Sequence, residues 1–555
     1  MPAYTIGMDF GTNSLRVVII NVENGEEFAS ALFNYPGGTD GILLNSKEHN
    51  LARQSPSDYL QGLKFAVTDA LSQARRTHGV LPDQVIGIGV DTTGSTPIPV
   101  DAFNSPMCFH PEYRDNLNAH AWLWKDHSAF AEAAEITTKA KEIRPHFLAK
   151  CGGVYSSEWY WAKLWHCLNV DAKLFKATYA WIELEDFIPS VLSGITKPDK
   201  VVRGVCAAGH KAMYNKEWGG MPDAEFLAAL APELAELRKR MPDNAFSIDH
   251  KAGYLCEKWA KTLGLKPGIP IAVGAFDAHL GAVGSGVKKG TLVKIVGTST
   301  CDIMVTPNTE KVPDIPGVCG IVDGSVLPGY YGIEAGQSAV GDIFHWFVNI
   351  VCEGDDTLQV KLTEQAKKLK PGESGLIALD WNNGNRTILV DPQLSGLLIG
   401  MTLHSNRSEI YRALLEATAF GALTIINRIE EYSIPIEQVI CCGGISEKNE
   451  LFMQIYADVL NRPIYISRST QTCALGAAIA GALAGGAYKS IEDAIDAMTG
   501  VKDELFRPDS KSVRTYQSLY SIYKKLHDGF GYSDSINVSR VMKDLLQIRA
   551  HSLKT

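Results

Sequence analysis

The stretch YTIGMDFGTNSLRVVIIN, residues 4–21, decides the architecture. Its two ends, residues 4–10 and 15–21, are apolar runs rich in strand formers. Gly11, Thr12, Asn13 and Ser14 between them are turn formers, so the segment predicts a β-hairpin. A glycine in such a turn lets a ligand approach the backbone, successive N–H groups can form an anion nest, and the hydroxyls add donors. Asp9, at the strand end, could hold Mg2+ directly or through water. An ordinary Asp-led hairpin has the same pattern, so the question is whether the pattern recurs. Residues 291–296 and 301–305 are strand-like and flank Gly297-Thr298-Ser299-Thr300. The two Gly-Thr pairs lie about half the chain apart, which predicts two related halves.

Working outward, residues 84–90 read as a strand, 56–76 as a helix and 122–241 as a long region of mixed helical periodicity. After Pro392 the chain reads helical over 408–428, strand-like over 438–442 and helical over 449–460, with Gly443 and Gly444 at the strand-to-helix turn. Strands alternating with helices predict an α/β protein. The boundary falls near Val287 in GSGVKKG, dividing 1–286 from 287–555, with a cleft between the halves. Residues 472–488 are too rich in Ala and Gly, and slightly too short, for a membrane span; they predict a helix packed closely on a sheet. From about residue 503 the chain reads as a charged helical extension with a covering role.

With 555 residues, 45% of them apolar and 21% charged, the chain has room for two or more sizeable cores and lacks the composition of a disordered protein. A net charge of −9 with evenly spread Lys and Arg disfavours nucleic-acid and membrane-surface partners. Small-molecule chemistry fits better. The eleven cysteines form no C-x-x-C pair, and the N-terminus lacks a basic start and a long apolar run, so free thiols and a cytoplasmic location are expected. Common nucleotide signatures are missing. Gly281 to Gly286 is followed by Val287 where a P-loop needs lysine, no G-x-G-x-x-G follows a strand and opens a helix, and no zinc-protease or EF-hand spacing occurs.

The two Gly-Thr hairpins, followed by Gly443-Gly444-Ile445-Ser446 before a helix containing Asn449, resemble the sugar kinase, actin and Hsp70 superfamily of ATPases. The resemblance implies a two-domain actin-like (ribonuclease H-like) α/β fold with ATP in the cleft. It places Gly11, Thr12 and Asn13 at the outer phosphates, Gly297 and Thr298 at the second phosphate side, and Gly443, Gly444 and Asn449 at the adenosine. Ile271-Ala-Val-Gly-Ala-Phe-Asp277-Ala-His279 puts an acid after an apolar strand, and GLLIGMTLHSNRSEIYRALLEA at 396–417 is a second matching signature. Both are similar to the FGGY carbohydrate kinases. The resemblance implies that Asp277 is the general base that takes the sugar hydroxyl proton; taken alone, Asp277 also reads as a helix N-cap. His279 is expected to be structural.

Within that family WKDHSA at 124–129, GGVYSSEWYWAK at 152–163, CAAGHKAMY at 206–214 and GYYGIEAGQSAVGD at 329–342 are most similar to the branch acting on L-ribulose. That similarity implies ATP and Mg2+ as cofactors, a small-molecule sugar as partner, transfer to the C5 hydroxyl as in L-arabinose catabolism, and a homodimer. It makes Lys211, Glu334 and Asp277 the leading sugar contacts, with Ser95 and Thr96 behind them. Trp124, Asp126 and His127 read equally well as pocket residues or as a packed helix start. Two alternatives remain open: an FGGY kinase for D-ribulose, D-xylulose or glycerol, and a non-catalytic actin-like ATP switch, which would have no need of the acid at Asp277.

Overall fold

The computed structural model describes residues 2–532. Two mixed sheets are built on the same plan. The first runs Lys251–Tyr254, Pro270–Ala272, Val85–Thr92, Tyr4–Phe10, Ser14–Asn21 and Glu27–Asn34, with Ala275–Phe276 also paired to Val85–Thr92. The second runs Gly320–Asp323, Tyr330–Ala335, Thr300–Pro307, Thr291–Val296, Gln438–Cys442, Ile464–Ser467 and Val501–Phe506. In each, the first hairpin strand pairs antiparallel with the second and parallel with a much later strand. A further strand, Glu27–Asn34 in the first sheet and Tyr330–Ala335 in the second, then joins the second hairpin strand antiparallel. The recurrence read from two short turns is therefore a recurrence of whole-sheet topology.

The helices follow local chemistry. Pro at the first turn and Gly79 in the left-handed conformation bound Pro56–His78. Asn406 accepts from the N–H groups of Ser408 and Glu409, and Glu409 accepts in return from the Asn406 N–H, a reciprocal cap that starts Arg407–Glu431. Residues 122–241 fold mainly as short helices around buried Trp122, Trp161 and Trp181, but Ala180–Glu183 is a strand against Pro97–Val100. Residues 501–506 correct the expected helical extension: the charged run is the edge strand Val501–Phe506, and the helix begins at Ser510. An edge strand exposes most of its side chains, so its polarity resembles that of a solvated helix. The rest of the expected extension, 533–555, lies outside the described residues.

Helix Thr472–Ala484 does pack closely on a sheet, and the sheet is that of the first half. A Cβ on Gly7 would lie 1.9 Å from the Ala474 carbonyl oxygen, and one on Gly89 only 1.7 Å from that of Ala477. The helix also crosses Asp277–Gly284, where a Cβ on Gly476 would lie 1.8 Å from the Leu280 oxygen. One core joins the halves there, with Val18, Leu280, Val293, Ile440 and Ile479 in a single cluster. No helix among the described residues is long and apolar enough to cross a membrane.

Candidate active site

Three acids meet at the carboxyl ends of strands in the first sheet. Asp9 is the register partner of Asp91 across the parallel pair Tyr4–Phe10 and Val85–Thr92, and Asp91 is the partner of Ala275. Two residues later Asp277 opens helix Asp277–Gly284, its Oδ1 accepting from the Ala278 N–H at 2.6 Å. The N-cap position belongs to Phe276. Burial and then the negative charge of Asp9 push Asp277 up to about 7. Burial, Asp9 and Asp277 together push Asp91 well above the carboxylate range, and its hydrogen bond with Asp9 adds to this. Asp91 is fully buried, and the sequence reading left it out of the site. Its signal was its place at the end of an apolar strand, which says nothing until pairing sets it beside Asp9. The paired Asp9 and Asp91 carboxyls offer only oxygen donors, which suit a small hard divalent cation.

Beyond Asp277, the Lys211 ammonium donates to both Glu334 oxygens at 3.1 and 3.2 Å. Lys211 ends helix Val205–Lys211 and Glu334 lies on Tyr330–Ala335 of the second sheet, so this pair crosses between the halves. Burial alone would lower Lys211, but the Glu334 carboxylate overrides it and holds the ammonium above its usual range. Burial alone would raise Glu334, but the Lys211 ammonium holds it well below the carboxylate range. The rings of His210 and His279 touch through their Nε2 atoms at 3.0 Å, and burial keeps both neutral, His279 down to about 4. With Glu334 they bring metal-ligating atoms within 4.8 Å of one another, but Lys211 already fills the cation's place. The Lys211 ammonium also lies 5.4 Å from the Trp159 ring and 5.6 Å from that of Phe276, an aromatic wall for a polyhydroxylated chain. A cavity lined by Tyr155, Trp159, His210 and Trp218 adjoins from that side; Asp277 is not part of its lining.

The other expected site residues divide into two groups. Gly11 and Gly297 lie in turns and Gly444 opens helix Gly444–Lys448, all with room to spare. A Cβ on Gly11 would come no nearer than 3.4 Å to any atom, one on Gly297 no nearer than 3.9 Å, and one on Gly444 would meet nothing within 4 Å. None of the three has a positive φ, so neither packing nor backbone strain asks for glycine there. Gly443 differs: its φ is 99° and a Cβ would lie 2.3 Å from the Val296 oxygen. Gly297 and Thr298 are exposed, with their carbonyls accepting from the N–H groups of Gly341, Val340 and Asp342. Thr12 Oγ1 accepts from Trp124 Nε1 at 3.0 Å, and Asn13 Nδ2 donates to the Asp40 carbonyl.

The second group is committed elsewhere. Ser95 and Thr96 are fully buried; the Ser95 hydroxyl and the Thr96 N–H donate to Glu183, and the Ser95 carbonyl accepts from Lys163. Asp126 is buried against Arg53, which stacks on Trp122, and is structural. His127 is half exposed beside Glu158 and Ser157. Asn449 Oδ1 caps helix Glu450–Leu460 by accepting from the Phe452 N–H, and the Asn449 N–H donates to the Ile445 carbonyl at 3.0 Å.

Duplicated sheets around a cleft, with acids at strand ends and open glycine turns facing it, define a two-lobed phosphotransferase of the sugar-kinase type. Residues 4–284 match the N-terminal domain, and residues 292–485 the C-terminal domain, of the FGGY family of carbohydrate kinases. The ribulokinase of Shouchella clausii is 41% identical over 571 residues, which covers all of this chain and 99% of the relative. That of Halalkalibacterium halodurans is 42% identical over 573 residues with the same coverage. Among solved structures, ligand-bound xylulose kinase from Lactobacillus acidophilus superposes with a TM-score of 0.78 at 19% identity, covering 96% of this chain and 99% of that one. Plasmodium falciparum glycerol kinase with ADP gives 0.76 at 17% identity over 95% of this chain and 98% of that one. The chain belongs to the FGGY family of carbohydrate kinases and is an ATP-dependent sugar kinase.

Proposed function

We propose that this kinase phosphorylates L-ribulose at its C5 hydroxyl, with Asp277 as the general base. The ribulokinase relatives support the choice of sugar. The observation that carries the mechanism is the placement of Asp277, poised near neutrality, beside the Lys211–Glu334 pair. The Lys211 ammonium offers donors to the sugar and the ionised Glu334 offers acceptors, so the two fix the chain's hydroxyls in one register. Asp277 takes the proton from the attacking hydroxyl as the new O–P bond forms at the γ-phosphorus and the bond to the β-bridging oxygen breaks, releasing ADP. Gly11, Thr12, Asn13, Gly297 and Thr298 bracket the phosphates, while the Gly443–Gly444 turn lies against the adenosine. The Gly11 and Gly297 N–H groups donate to the Ser14 and Ser299 carbonyls, so the donors to phosphate are the N–H groups of Thr12, Asn13 and Thr298 and the threonine hydroxyls. Asp9, with Asp91 behind it, would hold Mg2+, which neutralises phosphate charge when bound. The two lobes divide between residues 286 and 287, and closure between them excludes water in favour of the sugar oxygen.

ADP release from Mg·ATP, measured with L-ribulose, D-ribulose, L-xylulose, D-xylulose and glycerol, is expected to be fastest with L-ribulose. Preference for another sugar would keep the kinase and overturn the substrate. The base must be deprotonated to act, so kcat/KM is expected to rise as pH rises through about 7. A rate unchanged between pH 6 and about 8 would remove Asp277 from that role.

A further inference from the structure

The second phosphate turn is tied to a helix that lies beyond the family match, which ends at residue 485. Thr300 closes the turn. Its N–H donates to the Gln337 carbonyl at 3.1 Å, its Oγ1 accepts from the Gln337 N–H at 3.0 Å, and its carbonyl accepts from Arg386 Nη2 at 2.7 Å. Behind it the fully buried Lys294 donates to both Asp302 oxygens at 2.8 and 2.9 Å, to Gln337 Oε1 at 3.0 Å and to Thr300 Oγ1 at 3.3 Å. Gln337 Nε2 donates to Asp380 Oδ2 at 2.7 Å and to the Thr418 carbonyl at 2.8 Å. Asp380 Oδ1 accepts from the Tyr523 hydroxyl at 2.8 Å, and Tyr523 is fully buried on helix Ser510–Gly531.

The donors and acceptors of this chain of bonds allow one arrangement. Lysine can only donate, which fixes Gln337 Oε1 towards it and Nε2 towards Asp380; the carboxylate can then only accept from Tyr523. A satisfied buried network of this kind holds its members in a single geometry. We propose that Tyr523, acting through Asp380 and Gln337, is a positioning residue for the Gly297–Thr300 turn. Helix Ser510–Gly531 thereby sets the nucleotide site instead of only covering the lobe. The inference rests on the reading that Gly297 and Thr298 face the ATP phosphates.

Tyr523→Phe removes one hydroxyl and leaves the ring packed 5.4 Å from Phe420. In the full-length enzyme the variant is expected to raise KM for ATP about tenfold, with KM for the sugar moving less than about twofold. Asp380→Asn should act in the same direction, and the double variant should be little worse than the more affected single, because both break the same link. If Tyr523→Phe fails to fold, Asp380→Asn is read alone by the same split between the two KM values. A lower Tm with both KM values unmoved would show a merely structural hydroxyl and overturn the proposal, as would additive effects in the double variant. Gly297→Val separates the two readings. Its Cβ meets no protein atom within 3.9 Å, so it should abolish ATP binding by calorimetry without unfolding the chain. Unchanged ATP binding in Gly297→Val would sink the phosphate reading itself. Lost binding there, with wild-type KM for ATP in Tyr523→Phe, would sink only the role of Tyr523.

Discussion

Asp277→Asn is expected to lower kcat by about a thousandfold while sugar affinity stays within about tenfold. The amide keeps the shape of the carboxylate and can still accept from the Ala278 N–H, so the helix start is preserved. What it loses is the capacity to take a proton in the transition state. A second readout moves the opposite way. The folded protein holds Asp277 at about 7, against 3.8 for the free group, because burial and Asp9 disfavour its charge. Stability is therefore lost as pH rises from the lower value through the higher one, since the unfolded chain ionises first. At pH 8 the neutral amide removes that penalty and relieves Asp9 and Asp91. The ligand-free variant should melt above the wild type there, and the difference should shrink towards pH 4. Wild-type turnover in the purified variant would end the assignment, and a lower Tm at pH 8 would contradict the electrostatic account.

Gly89→Ala should destabilise the fold by about 3 kcal/mol or more, read as a fall in the urea midpoint. The added methyl would lie 1.7 Å from the Ala477 carbonyl oxygen, which is backbone and cannot rotate aside. Moving helix Thr472–Ala484 outward would also open its contacts at Gly7, Gly284 and Gly476, where a Cβ would lie 1.9, 2.0 and 1.8 Å from a backbone oxygen. The cost therefore falls on the whole seam between the lobes. An unchanged midpoint would mean that the helix does not rest on this strand.

The two hairpins, the helix Arg407–Glu431 and the strand Gln438–Cys442 were legible because their signals are contiguous: apolar runs, turn formers and caps within a few residues of one another. Asp277 was legible for the same reason, as an acid in a motif following an apolar strand. The edge strand Val501–Phe506 was misread because exposure on an edge leaves too few buried positions to show a period of two. Ser95 and Thr96 were expected at the sugar, but their partner, Glu183, stands far along the chain, and nothing local announces that their polar groups are already spoken for.

The sequence by itself determined the doubling of the fold, the two Gly-Thr hairpin turns and the acid that follows the strand. Only the tertiary structure decided that Asp91 stands beside Asp9, that Lys211 meets Glu334 across the lobes, that a late helix closes on the first sheet and that Tyr523 is linked through Asp380 and Gln337 to Thr300. Turn chemistry is set by neighbouring residues and the backbone angles they allow. A pKa near 7 or a buried ion pair is set by desolvation and by charges that come together only when distant segments pack.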